Sequence, residues 1–105
     1  MIRANLLTRG DRLCGFELKG HAGYAEQGRD IVCAAVSSAV YLAANTLTDV
    51  CGCRAEVAES EGRLSFLLSP ESEEAGQDVL NGLRLHLEGL CAQYPKFIQL
   101  QLTEV

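Results

Sequence analysis

A histidine and a cysteine twelve residues apart, His21 and Cys33, are the side chains of this chain best placed to do chemistry. His21 stands between Gly20 and Ala22, and Cys33 closes the run Asp30-Ile31-Val32-Cys33 that opens a long apolar stretch. With Asp30 as a helix cap, Cys33 falls on the first helical turn. There the orphan backbone N–H groups and the positive end of the helix dipole favour a thiolate. A neutral imidazole close by can take the thiol proton. A thiol and a base are the two parts of a cysteine nucleophile, so the pair points to a small cysteine peptidase. Each residue also has a plainer reading: an isolated cysteine is a small hydrophobe, and a histidine beside glycine is a loop residue.

Two further side chains bear on the site. Residues four apart share a helix face, so Ser37 stacks one turn above Cys33 and Tyr41 one turn further. Ser37 is either a substrate contact or a small polar helix residue bonded to a carbonyl one turn back. Asp30 is either the N-cap, accepting backbone N–H groups near Cys33, or a third catalytic member orienting His21. Backbone N–H groups at the same helix start could hold the oxyanion of a tetrahedral intermediate.

The elements that must position these groups follow from periodicity. Ile2, Ala4 and Leu6 alternate in one strand, Cys14, Phe16 and Leu18 in a second, with Arg9-Gly10-Asp11 as the turn. A loop over 22–29, with Gly23 and Gly28, precedes a helix from Asp30 to about Val50, ended by Gly52. Val32, Val36, Ala39, Ala43, Leu47 and Val50 form its core stripe. Cys53, Ala55 and Val57, then Leu64, Phe66 and Leu68, form a second hairpin across Ser60-Glu61-Gly62. Ser69-Pro70-Glu71 starts a second helix with a hydroxyl cap and proline at the first position. Leu80, Leu83, Leu87, Leu90 and Tyr94 line one of its faces, and Pro95 ends it. Ile98, Leu100 and Leu102 make a last strand. The order ββαββαβ predicts an α+β (two-layer α/β) fold, with one mixed sheet and two helices packed on one face, as a single peptidase domain over 1–105.

Gly20-His21-Ala22, the spacing to Cys33, and the run Asp30-Ile31-Val32-Cys33-Ala34-Ala35-Val36-Ser37 resemble the ribosomal-processing cysteine protease family. The element order and length agree as well, so the likeness spans essentially the whole chain. It implies a homodimeric peptidase in which His21 and Cys33 match the catalytic pair and Asp30 and Ser37 match supporting positions. In that family the substrate is the N-terminal extension of the twenty-seventh protein of the large ribosomal subunit, and its removal exposes the mature N-terminus. The loop 22–29 carries over no role for Tyr24, Glu26 or Arg29; its glycines suggest a mobile lid over a bound peptide.

Composition bounds the alternatives. The chain has 105 residues, 48% hydrophobic and 22% charged, and a formal net charge of −5. That is enough for one core, and the acidity disfavours direct nucleic-acid binding and favours basic partners such as a lysine-rich peptide. The N-terminus has no signal-peptide pattern, and the apolar run within 31–50 is interrupted by Ser, Asn, Thr and Asp, so no membrane role and a cytoplasmic location are expected. The five cysteines are expected to be thiols. Cys51-Gly52-Cys53 has no matching second pair, so neither a metal nor another cofactor is expected. Cys14 and Cys91 read as core residues, and His86, near Arg84 and Glu88, as solvated. Two other functions remain open: a non-catalytic ribosome-associated module that holds a peptide or protein tail, and a thiol redox sensor.

Overall fold

The computed structural model describes residues 1–26 and 28–105. Its strands are β1 (Ile2–Arg9), β2 (Arg12–Lys19), β3 (Ala55–Ser60), β4 (Arg63–Leu68) and β5 (Ile98–Glu104), and its helices α1 (Ile31–Asn45) and α2 (Glu73–Gln93). They form one five-stranded sheet in the order β3-β4-β2-β1-β5. All pairings are antiparallel except β1 with β5, where Ile2 pairs with Ile98 and Leu6 with Leu102. The sheet is therefore mixed, and the expected ββαββαβ order holds.

Period-two alternation puts one row of side chains from each strand under the helices. Leu6, Phe16, Phe66 and Val57 face one another across four strands. Phe16 and Phe66 stack with centroids 5.0 Å apart and rings within 6° of parallel. Val32, Val36, Val40, Ala43 and Leu47 of the first helical stretch, and Leu80, Leu83 and Leu87 of α2, close the core from above. The stretch Ile31–Val50 has the length and composition of a membrane span, yet one face of it belongs to the core here, with Val32, Val36 and Val40 buried.

Three expectations change. The stripe on the first helix includes Val40, fully buried, and excludes Val50, which is 79% exposed. The cause is a π-helical turn over Thr46–Val50, marked by the bond from Cys51 N–H to Thr46 O at 2.8 Å. It shifts the register that straight helical spacing assumes. The hydroxyls of Thr46 and Thr48 bond back to the carbonyls of Leu42 and Ala44 in the same segment. Second, Ser69 makes no side-chain cap. A single 3-10 turn, Pro70–Ser72, intervenes before α2, and the hydroxyl of Ser72 accepts the Arg54 N–H at 2.9 Å. Third, Val57 is 55% exposed because β3 is an edge strand.

Candidate active site

β2 ends at Lys19, and Gly20 turns the chain at φ +83°, a backbone that side chains rarely adopt. A Cβ there would also lie 2.8 Å from Met1 O. Gly20 N–H donates to Gly62 O at 2.8 Å, which fastens the next residue, His21, to the β3–β4 turn. The imidazole rests against that turn: its Nε2 is 3.5 Å from where a Cβ on Gly62 would stand. His21 is solvent-exposed.

Ala22 is buried, and its N–H donates to Sγ of Cys33 at 3.2 Å. The thiol lies on the third residue of α1 and is half-buried. Among the described residues no hydrogen bond joins His21 to Cys33; the peptide link between His21 and Ala22 is what ties the imidazole to the thiol. Ser37 and Tyr41 continue up the same helix face, both exposed.

Asp30 caps the helix. One carboxylate oxygen accepts the N–H groups of Val32 and Cys33, each at 3.0 Å. The other accepts those of Tyr24 at 3.0 Å and Ala25 at 3.4 Å. With both oxygens committed to backbone, the capping reading holds, and the carboxylate fixes the loop to the helix start at once. Burial pushes this carboxyl up. The N–H groups of Cys33, Ala25 and Tyr24, with a smaller contribution from the Cys33 thiol, outweigh burial and hold it below its ordinary value. The same geometry changes the expected oxyanion donors. The Val32 and Cys33 N–H groups are taken by Asp30, and Ala34 N–H by Asp30 O, which leaves Ala22 N–H as the donor aimed at the sulfur.

Two cavities meet along the wall formed by His21, Cys33 and Ser37. One, of about 350 Å³, runs toward Tyr41 and the β3–β4 hairpin residues Glu59–Leu64. The other, of about 420 Å³, lies toward Gly23, Ala25, Gly28 and Asp30. A cleft thus passes on both sides of the thiol, the shape an extended chain segment needs. Of the four residues singled out in sequence, His21, Cys33 and Ser37 line both halves, and Asp30 lines the second.

Sequence patterning missed two parts of this site. The hairpin wall is brought in by the β2–β4 pairing, which leaves no local signal. Tyr24 also went unassigned: its ring packs edge-on against Tyr94 and Phe97, with centroids 5.8 and 5.2 Å away. The first half of the expected lid, 22–25, is therefore tied down at three places: the Cys33 thiol, Asp30 and this aromatic cluster. Part of that expectation falls on Gln27, outside the described residues.

The remaining cysteines and His86 lie outside this cleft. All five cysteines are free thiols. Cys14 is fully buried, and Cys91 is half-buried with its thiol directed at Ile98 O, 3.4 Å away. Cys51 is exposed while Cys53 is buried with its thiol toward Ser72 O, so the two do not face a common point in solvent. His86 is exposed on α2, where Arg84 and Glu88 approach to 3.9 Å. Among the described residues no three His, Cys, Asp or Glu side chains converge as a metal-ligand set.

Comparison with known proteins places the chain in a family and matches its fold. The family model for cysteine protease Prp matches residues 1–99. The ribosomal processing cysteine protease Prp of Bacillus subtilis is 32% identical, with 90% of each chain covered. A Staphylococcus aureus ribosomal processing protease Prp, solved with a covalently linked product peptide, has the same fold. It superposes with a TM-score of 0.91 at 21% identity, over 98% of this chain and all of that one. A Streptococcus mutans protein of solved structure is 30% identical with a TM-score of 0.79, covering all of this chain and 96% of its own.

Proposed function

The chain belongs to the cysteine protease Prp family and so is a cysteine endopeptidase, and we propose that it removes the N-terminal extension of the twenty-seventh protein of the large ribosomal subunit, with Cys33 as nucleophile and His21 as base. The observation that carries the assignment of residues is the Ala22 N–H bond to Sγ of Cys33, which holds the imidazole-bearing segment against the thiol. A role in ribosomal processing is supported by the B. subtilis relative, which is named for it, and the particular protein is the one that the family resemblance implies.

The steps follow from the groups present. A peptide lies extended along the cleft, between the loop after His21 and the β3–β4 edge of the sheet. His21 takes the thiol proton, and Sγ attacks the scissile carbonyl carbon to form a tetrahedral oxyanion. The Ala22 N–H, which donates to the sulfur at 3.2 Å before substrate binds, turns to that oxygen as it forms. His21 returns the proton to the leaving amine as the C–N bond breaks, which leaves a thioester on Cys33. Water, deprotonated by His21, then hydrolyses the thioester and regenerates the thiol. Asp30 acts on the reaction only through backbone, by holding the helix start and the loop in register. Ser37, at the wall shared by both cavities, contacts the bound peptide.

Incubation with the precursor of the ribosomal protein tests this. Wild type yields the shortened product, whereas Cys33→Ala and His21→Ala do not, and Cys33→Ser retains at most a trace. Cleavage that survives Cys33→Ala rules out the mechanism; binding of the precursor without cleavage by wild type favours a peptide-holding module instead. A homodimer and a cytoplasmic location belong to the same proposal. Sedimentation of the purified chain as a monomer at micromolar concentration would overturn the dimer.

A further inference from the structure

The helix face that bears Cys33 and Ser37 ends at Tyr41, whose hydroxyl donates to Oε1 of Glu59 at 2.6 Å. Among the described residues this is the one side-chain hydrogen bond between α1 and the β3–β4 hairpin. It closes the far end of the 350 Å³ cavity that starts at the thiol, since Tyr41 and Glu59 both line it. Tyr41 is two turns above Cys33, about 12 Å along the axis at about 1.5 Å per residue. An extended peptide rises about 3.3 Å per residue, so the Tyr41–Glu59 pair sits three or four residues from the bond that Sγ attacks.

The charge at that end is negative and available. Glu59 pairs across the sheet with the core residue Leu64, so it stands on the helix side of β3. Its second oxygen has no protein partner among the described residues. Arg63, which also lines this cavity, directs its guanidinium to Glu17, 3.6 Å away. Tyr41 thus fixes the carboxylate in place without neutralising it.

We propose that Glu59, held by Tyr41, is a specificity-determining residue that takes a lysine or arginine side chain of the substrate three or four residues from the scissile bond. This rests on reading the cleft as the substrate site. Glu59 is exposed, so the preference is modest: a screened ammonium–carboxylate contact corresponds to about three- to fivefold.

The test uses fluorogenic peptides that carry Lys, Gln or Glu at the third or fourth residue on either side of the cleaved bond. The readout is the Lys/Glu ratio of kcat/KM within each enzyme variant, so any general effect of a substitution on rate cancels. Wild type is expected to favour Lys by about three- to fivefold at one of these positions, and to lose the preference at high salt. The ratio falls to near one in Glu59→Gln and inverts in Glu59→Lys. Tyr41→Phe, which leaves the carboxylate charged but unfixed, gives an intermediate ratio. A ratio that is the same in wild type and Glu59→Gln at every position overturns the inference. Binding of the same peptides to Cys33→Ala, followed by fluorescence anisotropy, separates the two readings. If wild type cleaves none of them while Cys33→Ala still prefers Lys through Glu59, the peptidase assignment fails and the subsite stands. If no peptide binds, both fail.

Discussion

Ala22 donates its backbone N–H to the sulfur of Cys33 at 3.2 Å, so the segment that carries the candidate base is fastened to the helix at the candidate nucleophile itself. The registration of imidazole and thiol therefore depends on backbone placement before and after His21 rather than on a third catalytic side chain.

Gly20 is where that dependence is most exposed. Its φ of +83° and the 2.8 Å approach to Met1 O leave no room for a Cβ. Gly20→Ala is expected to cost about 1–2 kcal/mol of stability from backbone strain. It should also lower kcat by at least about a hundredfold, because His21 shifts relative to the thiol. Urea denaturation and peptide cleavage on the same sample would separate the two effects; a stability loss with unchanged kcat would show that His21 is not held through Gly20.

Asp30 gives a prediction in pH. Its carboxyl is held below its ordinary value of 3.8 by backbone donors that outweigh burial. A depressed folded-state pKa contributes stability that is complete above the unfolded value and is lost as pH falls through the folded one. Asp30→Ala should lower the thermal midpoint by about 5 °C at neutral pH. The gap between variant and wild type should close below about pH 4 as the carboxyl takes a proton. Calorimetry across pH 2–7 checks this, and a gap that persists in acid would contradict the capping role.

Tyr41 responds at the other end of the scale. The hydrogen bond to Glu59, then burial, then the carboxylate charge raise its phenol above the ordinary value of 10. A raised folded-state pKa contributes stability that is complete below the unfolded value and is lost as pH rises through the folded one. Ultraviolet titration of the three tyrosines is expected to show one ionising later than a free phenol. Glu59→Ala should bring that phenol back toward 10, and an unchanged late transition would place it elsewhere.

The thiols should separate by accessibility. Cys33, the proposed nucleophile in its open cleft, and the exposed Cys51 are expected to react with a disulfide reagent first. Cys14 and Cys53 are buried, and burial pushes both thiols up, so neither should react until the fold opens. Mass spectrometry of partly labelled protein reads the order directly; early labelling of Cys14 would mean that β2 opens locally.

Much of this architecture could be read from residue types. The strands announced themselves by alternation, and Asp30 by its place before an apolar run. His21 and Cys33 were visible because a glycine and a helix start flank them. What could not be read were the features made by tertiary contact. Val50 left the core because the helix widens at Thr46–Val50, a change that backbone bonding decides and spacing does not encode. Ser69 lost its capping role because a 3-10 turn over Pro70–Ser72 separates it from α2, and the Arg54 backbone engages both the Ser69 N–H and the Ser72 hydroxyl. Asp30's second pair of donors and Glu59's position opposite Tyr41 join segments that only the folded chain brings together.

The pairing of β1 has a consequence for how the molecule assembles. One neighbour of this strand, β2, follows after a two-residue turn and can form early; the other, β5, arrives only after both helices and the second hairpin. Long-range parallel pairing is entropically late. Until β5 docks, β1 has a bare flank able to recruit strands from other molecules. Nascent or truncated chains should therefore be the aggregation-prone species, and a chaperone would be needed most just before the final strand is captured.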